Sequence, residues 1–240
     1  IVERQRVSSY ENVGDLAVMV TPFMDVVSRD QIPAKLPTVR GGENTVVTFD
    51  VNQEVKDCIR DLLWREQHMS VANARFDGPL KIVGDGRKAT LDPRMANLEY
   101  TPGIGRVHAV ADHVIQEWED TRDNTYLMQD GEVSPNKGGL QILFCDNGVP
   151  SKSDPTKFNM YDAIRDELVS RGMDRDRIRF IHEWEDNKLQ LFDDCNNGRV
   201  DVLIGNTPKL GTGANIQTRA VALHHVDVPW RPADLAQQVG

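Results

Sequence analysis

The chain has 240 residues, of which 39% are hydrophobic and 27% charged, the balance of a soluble globular protein with a substantial core. No apolar run approaches the roughly 20 residues needed to span a bilayer, and the first residues lack a basic, apolar, small-residue signal order. A cytoplasmic protein with no membrane partner is therefore expected. A formal charge of −9 argues against a protein that coats nucleic acid through overall charge, while a local basic groove stays possible.

Leu16, Val20, Phe23, Met24 and Val27 recur at helical spacing and predict a first helix. The Pro and Gly residues of 32–42 then break regular structure, and residues 45–51 fit a strand. Val55, Ile59, Leu62, Leu63 and Met69 predict a second helix, after which Pro, Gly and charged residues dominate 77–105. Val110, Ala111, Val114, Ile115 and Trp118 predict an amphipathic helix; 121–139 is polar and loop-like, and 140–145 is a short apolar run with the pattern of a buried strand.

From there helix and strand signals alternate. A helix carrying Tyr161, Ile164, Leu168 and Val169 stops at Gly172, a strand spans 178–182, and a helix with Leu189 and Phe192 stops at Gly198. Strands follow at 200–205 and 220–226, and Pro232 suits the first turn of a last helix. This alternation predicts an α/β fold, a parallel sheet covered by helices.

The residues that carry chemistry lie near the end. The run 202–215 (VLIGNTPKLGTGAN) delivers a Thr, a Lys and two glycines from a strand into a loop, a way of bringing backbone N–H groups close to phosphate oxygens. Other candidates are weaker. His224 and His225 are adjacent in a strand and point to opposite faces, and with His182 they offer no familiar metal-ligand spacing. Glu183, Glu185 and Asp186 read as a solvated loop. Cys58, Cys145 and Cys195 form no Cys-x-x-Cys pair and read as core thiols.

Thr207, Lys209, Gly211, Gly213, Asn215 and Gln217, then Asp227-x-x-Trp230-x-Pro232 and Gln237-x-x-Gly240, together resemble motifs V and VI of superfamily 2 helicases, of the Snf2-type branch. More narrowly the chain is similar to the C-terminal motor half of phage- and plasmid-borne bacterial proteins that join a helicase to an adenine-specific DNA methylase. The resemblance is specific from about Leu140 and looser before it, where the run 85–94 shares it.

That resemblance implies a RecA-like lobe over 106–240, with helices on both faces of its sheet, and a mainly helical, linker-like appendage over 1–105. It implies DNA-backbone contacts at Thr207, Lys209 and Thr212, and a share of an ATP cleft at Gly213, Asn215 and Gln237. Asp227 and Trp230 would brace the last helix, or Trp230 would simply pack. The partners implied are DNA and a first RecA-like lobe, which would carry Mg²⁺.

Two departures accompany it. No Gly-x-x-x-x-Gly-Lys-[Ser/Thr] phosphate loop occurs, since residues 84–88 have the wrong spacing, and the family's arginine finger would follow Gly240. Such a finger is worth about 10³ to 10⁵ in rate, so the chain is expected to be part of a longer protein and inactive as an ATPase alone. The rivals are a Rossmann-like module for a nucleotide or methyl donor, whose glycine loop should follow the first strand, and a non-catalytic scaffold.

Overall fold

The computed structural model describes residues 12–24, 38–70, 76–128, 131–211 and 214–239. Val27 of the expected first helix and most of the Pro-rich break at 32–42 lie outside them. The chain divides into two compact units between Val46 and Val47.

In the first unit, helix α1 (Val13–Val20) is closed by Thr21, whose amide and hydroxyl both donate to Ala17 O, at 2.9 and 2.6 Å. It is shorter than the apolar spacing suggests because Pro22 cannot continue it. Leu16, Val18 and Met19 on α1 are exposed.

The second unit opens without the strand expected at 45–51. Helix α2 (Gln53–Gln67) starts on Asn52, whose side chain accepts from the Val55 amide, and buries Val55 and Leu62. Helix α3 (Pro79–Leu91) runs through a stretch whose Pro and Gly content points away from a helix. Pro79 sits in its first turn, where a missing N–H costs nothing, and burial of Ile82, Ala89 and Leu91 offsets the roughly 1 kcal/mol that each internal glycine costs. Arg65 ties α2 to α3 by donating to Asp77 at 2.8 Å and to Asp85 at 3.2 Å.

Helix α4 (Arg106–Thr121) then leads to strand β1 (Leu140–Phe144), helix α5 (Met160–Ser170), strand β2 (Ile178–Phe180), helix α6 (Lys188–Asn196) and strand β3 (Val202–Gly205). A single helical turn α7 (Thr207–Leu210), strand β4 (Ala220–His225) and helix α8 (Pro232–Val239) complete the described chain. Phe49, from the segment expected as a strand, lies instead under the Arg106 guanidinium at the start of α4, 5.1 Å from its ring centre.

All strand pairings are parallel, in the order β2-β3-β1-β4. The fold is thus α/β, with a RecA-like parallel sheet and helices on both faces. Alternation along the strands makes two cores. Leu143, Val202, Ile204, Ile178 and Phe180 meet α4 and α5 through Val107, Ala111, Val114, Ile164 and Leu168. Leu140, Ile142, Phe144 and Leu203 meet Leu191 and Cys195 of α6 and Leu210 of α7.

Two expectations shift by a few residues. The strand read at 178–182 stops at Phe180 and becomes a 3-10 turn (Ile181–Trp184), which brings Ile181 into the second core. In α6 the buried pair is Leu191 and Cys195, one turn apart, while Leu189 is 84% exposed. Gly172 and Gly198, with φ of 100° and 71°, follow α5 and α6 in the left-handed region, as the stops required. No helix among the described residues is long and apolar enough to cross a membrane.

Candidate functional site

In an open parallel sheet, ligands bind outside the carboxyl ends of the strands, where neighbouring connections leave in opposite directions. Here β1 lies between β3 and β4, and the segments leaving these three strands meet at the carboxyl edge. Asp146, just past β1, accepts from the Thr207 amide at 2.7 Å and from its hydroxyl at 2.8 Å. Asp227, just past β4, accepts from the Asp146 and Asn147 amides at 2.8 and 2.9 Å and from the Asn147 side chain at 2.5 Å. Two carboxylates thus hold the β1 loop and the start of α7 in one fixed arrangement.

A second chain of contacts reaches the last helix. Gln238 Nε2 donates to Thr207 Oγ1 at 2.5 Å, and its Oε1 lies 2.7 Å from His225 Nδ1. Because the Gln238 amide nitrogen is committed to Thr207, His225 must donate from Nδ1. Its ring stacks on Phe144, 6.0 Å between centres. Thr207 is buried, with its hydroxyl hydrogen given to Asp146.

Lys209 is half-buried and pairs with Glu185 through Nζ. Gly211 is required by space as well as by the motif, since a Cβ there would lie 2.7 Å from Thr207 O. Asn215 is exposed, and its carbonyl accepts from Asn196 at 2.8 Å. Gln237 is exposed and runs beside Gly211, 3.6 Å from where a Cβ would stand. Thr212 and Gly213 lie outside the described residues. The structure therefore gathers Thr207, Lys209, Gly211 and Gln237 around one turn.

Asp227 does not brace the last helix; its carboxylate is spent on the β1 loop. Trp230 is exposed beneath the guanidinium of Arg87 of α3, 4.5 Å from its ring centre, and Arg87 also donates to Val228 O at 2.6 Å. Sequence reasoning places Asp146 at the end of the motif IV strand and loop without a role, and gives none to Gln238. The only linear signal for Gln238 is its place beside Gln237, and helix phase decides which of the two turns inward.

The remaining titratable groups behave as packed residues. Burial pushes the Cys145 thiol well above its ordinary range, helped by Asp227 and Asp146, and Tyr161 Oη donates to Cys145 O at 2.8 Å. Burial takes His224 down to about 4, and its Nε2 lies 2.9 Å from Gln141 Oε1 on the first core's face, opposite His225. Burial also lowers His182, with Lys209 adding to it. The buried atoms His182 Nδ1 and Asn206 Oδ1, at the carboxyl ends of β2 and β3, have no hydrogen-bond partner among the described residues. No group of three or more His, Cys, Asp or Glu among the described residues could hold a metal ion.

No protein-family model matches the sequence, and no curated protein matches it.

Proposed function

We propose that the second unit is the second motor lobe of an ATP-dependent DNA helicase or translocase, acting in the cytoplasm against a first RecA-like lobe that carries the phosphate loop and Mg²⁺. The single observation that best supports this is the anchoring of the turn at residues 207–211. It leaves the carboxyl edge of the sheet tied at Thr207 both to the β1 loop through Asp146 and to α8 through Gln238. A loop so fixed can transmit a movement of the lobe to a bound backbone.

Strand order speaks against the Rossmann-like rival. The usual order 3-2-1-4 sets the first strand beside the second, whereas here β3 separates them, and the glycine loop follows the third strand. Within this reading Lys209 supplies charge to a phosphate, and Thr207 positions the turn rather than giving a hydroxyl to DNA. Asn215 and Gln237 suit a nucleotide edge: both are exposed amides, and Gln237 flanks the tight turn at Gly211. ATP would supply the energy for lobe closure, and these residues would only bind and orient it.

The test is twofold. The chain should bind oligonucleotides with little sequence preference and show no DNA-stimulated ATPase; robust hydrolysis by the purified chain would refute a lobe that needs another. Lys209→Ala should weaken binding across sequences and reduce the slope of log affinity against log salt by about one. An unchanged slope counts against Lys209 as a phosphate contact.

A further inference from the structure

Three loops at the carboxyl edge bring three charges together. Lys152 comes from the loop after β1, Glu185 follows the 3-10 turn after β2, and Lys209 lies on α7 after β3. Lys152 Nζ donates to Glu185 Oε2 at 3.0 Å, and Lys209 Nζ donates to Oε1 of the same carboxylate. Each oxygen thus serves a different lysine. Among the described residues neither lysine pairs with any other carboxylate.

This is the arrangement in which two ammonium groups would hold the two non-bridging oxygens of a phosphodiester. A phosphodiester and a carboxylate each carry one negative charge, so replacing one by the other leaves the charge balance of the cluster unchanged. The contact is also cheap to release. Side-chain exposures of 79% at Lys152, 38% at Glu185 and 29% at Lys209 leave these ion pairs open to water and screened by salt. Past the carboxyl ends of β2 and β3, His182 Nδ1 and Asn206 Oδ1 are buried polar atoms with no hydrogen-bond partner among the described residues. His182 lies within electrostatic reach of Lys152, Glu185 and Lys209.

We propose that Lys152 and Lys209 form a phosphodiester site whose place Glu185 holds and yields to a DNA backbone. The proposal rests on the DNA-binding reading and adds to it a second lysine, Lys152, and an internal competitor, Glu185. The run of Glu183, Glu185 and Asp186 is then more than a solvated loop, for one of its members sets the threshold for binding.

The experiment measures binding of a fluorescent oligonucleotide by the native chain, Glu185→Gln, Lys152→Gln and the double variant, over about 50 to 200 mM salt. Asp186→Asn serves as a charge-matched control, and melting curves check folding. Glu185→Gln should tighten binding about 5-fold at low salt. Lys152→Gln should weaken it by a similar factor, lower the salt slope by about one, and abolish the gain from Glu185→Gln in the double variant.

A gain of equal size in Asp186→Asn, or one that survives loss of Lys152, overturns the site. Native binding with no gain in Glu185→Gln overturns the proposal and leaves the DNA reading standing. If neither form binds the oligonucleotide, the DNA reading falls and the proposal with it. A gain for inorganic phosphate or ATP alone, measured by competition, overturns the strand as the occupant.

Discussion

The two edges of the sheet handle buried polarity in opposite ways. At the amino edge, Arg177 donates to both oxygens of Asp201, at 2.8 and 2.6 Å, and to Gly198 O at 3.0 Å. Beside it Arg219, only 1% exposed, donates to Asn136 O at 2.7 Å and Gly138 O at 3.3 Å, with its guanidinium 4.9 Å from the Tyr126 ring centre. Gly198 is required there, since a Cβ would collide with that guanidinium. At the carboxyl edge the bonds run through Asp146, Thr207, Gln238 and Asp227 to loops and a terminal helix. One edge is a clamp, and the other is a set of joints.

If that contrast is right, the amino edge carries global stability. Arg219→Ala removes a buried guanidinium, leaves the Asn136 and Gly138 carbonyls unpaired and opens a void, for a cost of about 3–5 kcal/mol. Urea unfolding should show it as a fall in midpoint at unchanged slope. A loss under about 1 kcal/mol would mean that the clamp bears no load.

The next effect is pH-dependent and lies between the edges, at His224. Its folded value of about 4 is below its ordinary 6.5, so the unfolded chain binds the proton more readily. The resulting stability is complete above pH 6.5 and lost as pH falls toward 4, up to about 3 kcal/mol. The window lies mostly above that of Glu185, which Lys209 and Lys152 hold near 2 and which loses its contribution as pH falls from its ordinary 4.5 toward 2. His224→Gln should flatten the profile between pH 6.5 and 4; an unaltered profile would assign the loss to other groups.

What the sequence made legible follows from where the determining interactions lie. Strands β1 and β3 stand out because they are buried on both faces and therefore read as short apolar runs, broken in β1 only by Gln141. Helix α3 is hidden because Pro79, Gly84 and Gly86 signal against it, while the partners that stabilise it, Leu62 and Arg65, lie on another helix. In α6 both Leu189 and Leu191 fit an apolar face, and only the sheet decides between them. The candidate site divides the same way. Thr207, Lys209 and Gly211 are adjacent in sequence and visible as a loop. Asp146 gains its role from a residue 61 positions away, a separation that leaves no local pattern.

The smallest stability effect is expected where the joint itself is cut. Thr207→Val removes the hydroxyl that donates to Asp146 and accepts from Gln238, a loss of about 1–2 kcal/mol, while Thr207→Ser keeps both bonds. The distinctive readout is local. Because Gln238 is the buried residue of α8, losing its bond to Thr207 should free that helix first, and amide exchange there should accelerate more than exchange in β1 or β3. Gln238→Leu should produce the same acceleration, and the double variant should add little beyond either single change, since both cut one contact. If exchange in α8 rises no more than in the central strands, Thr207 and Gln238 stabilise the whole unit, and the carboxyl edge is a clamp like the other.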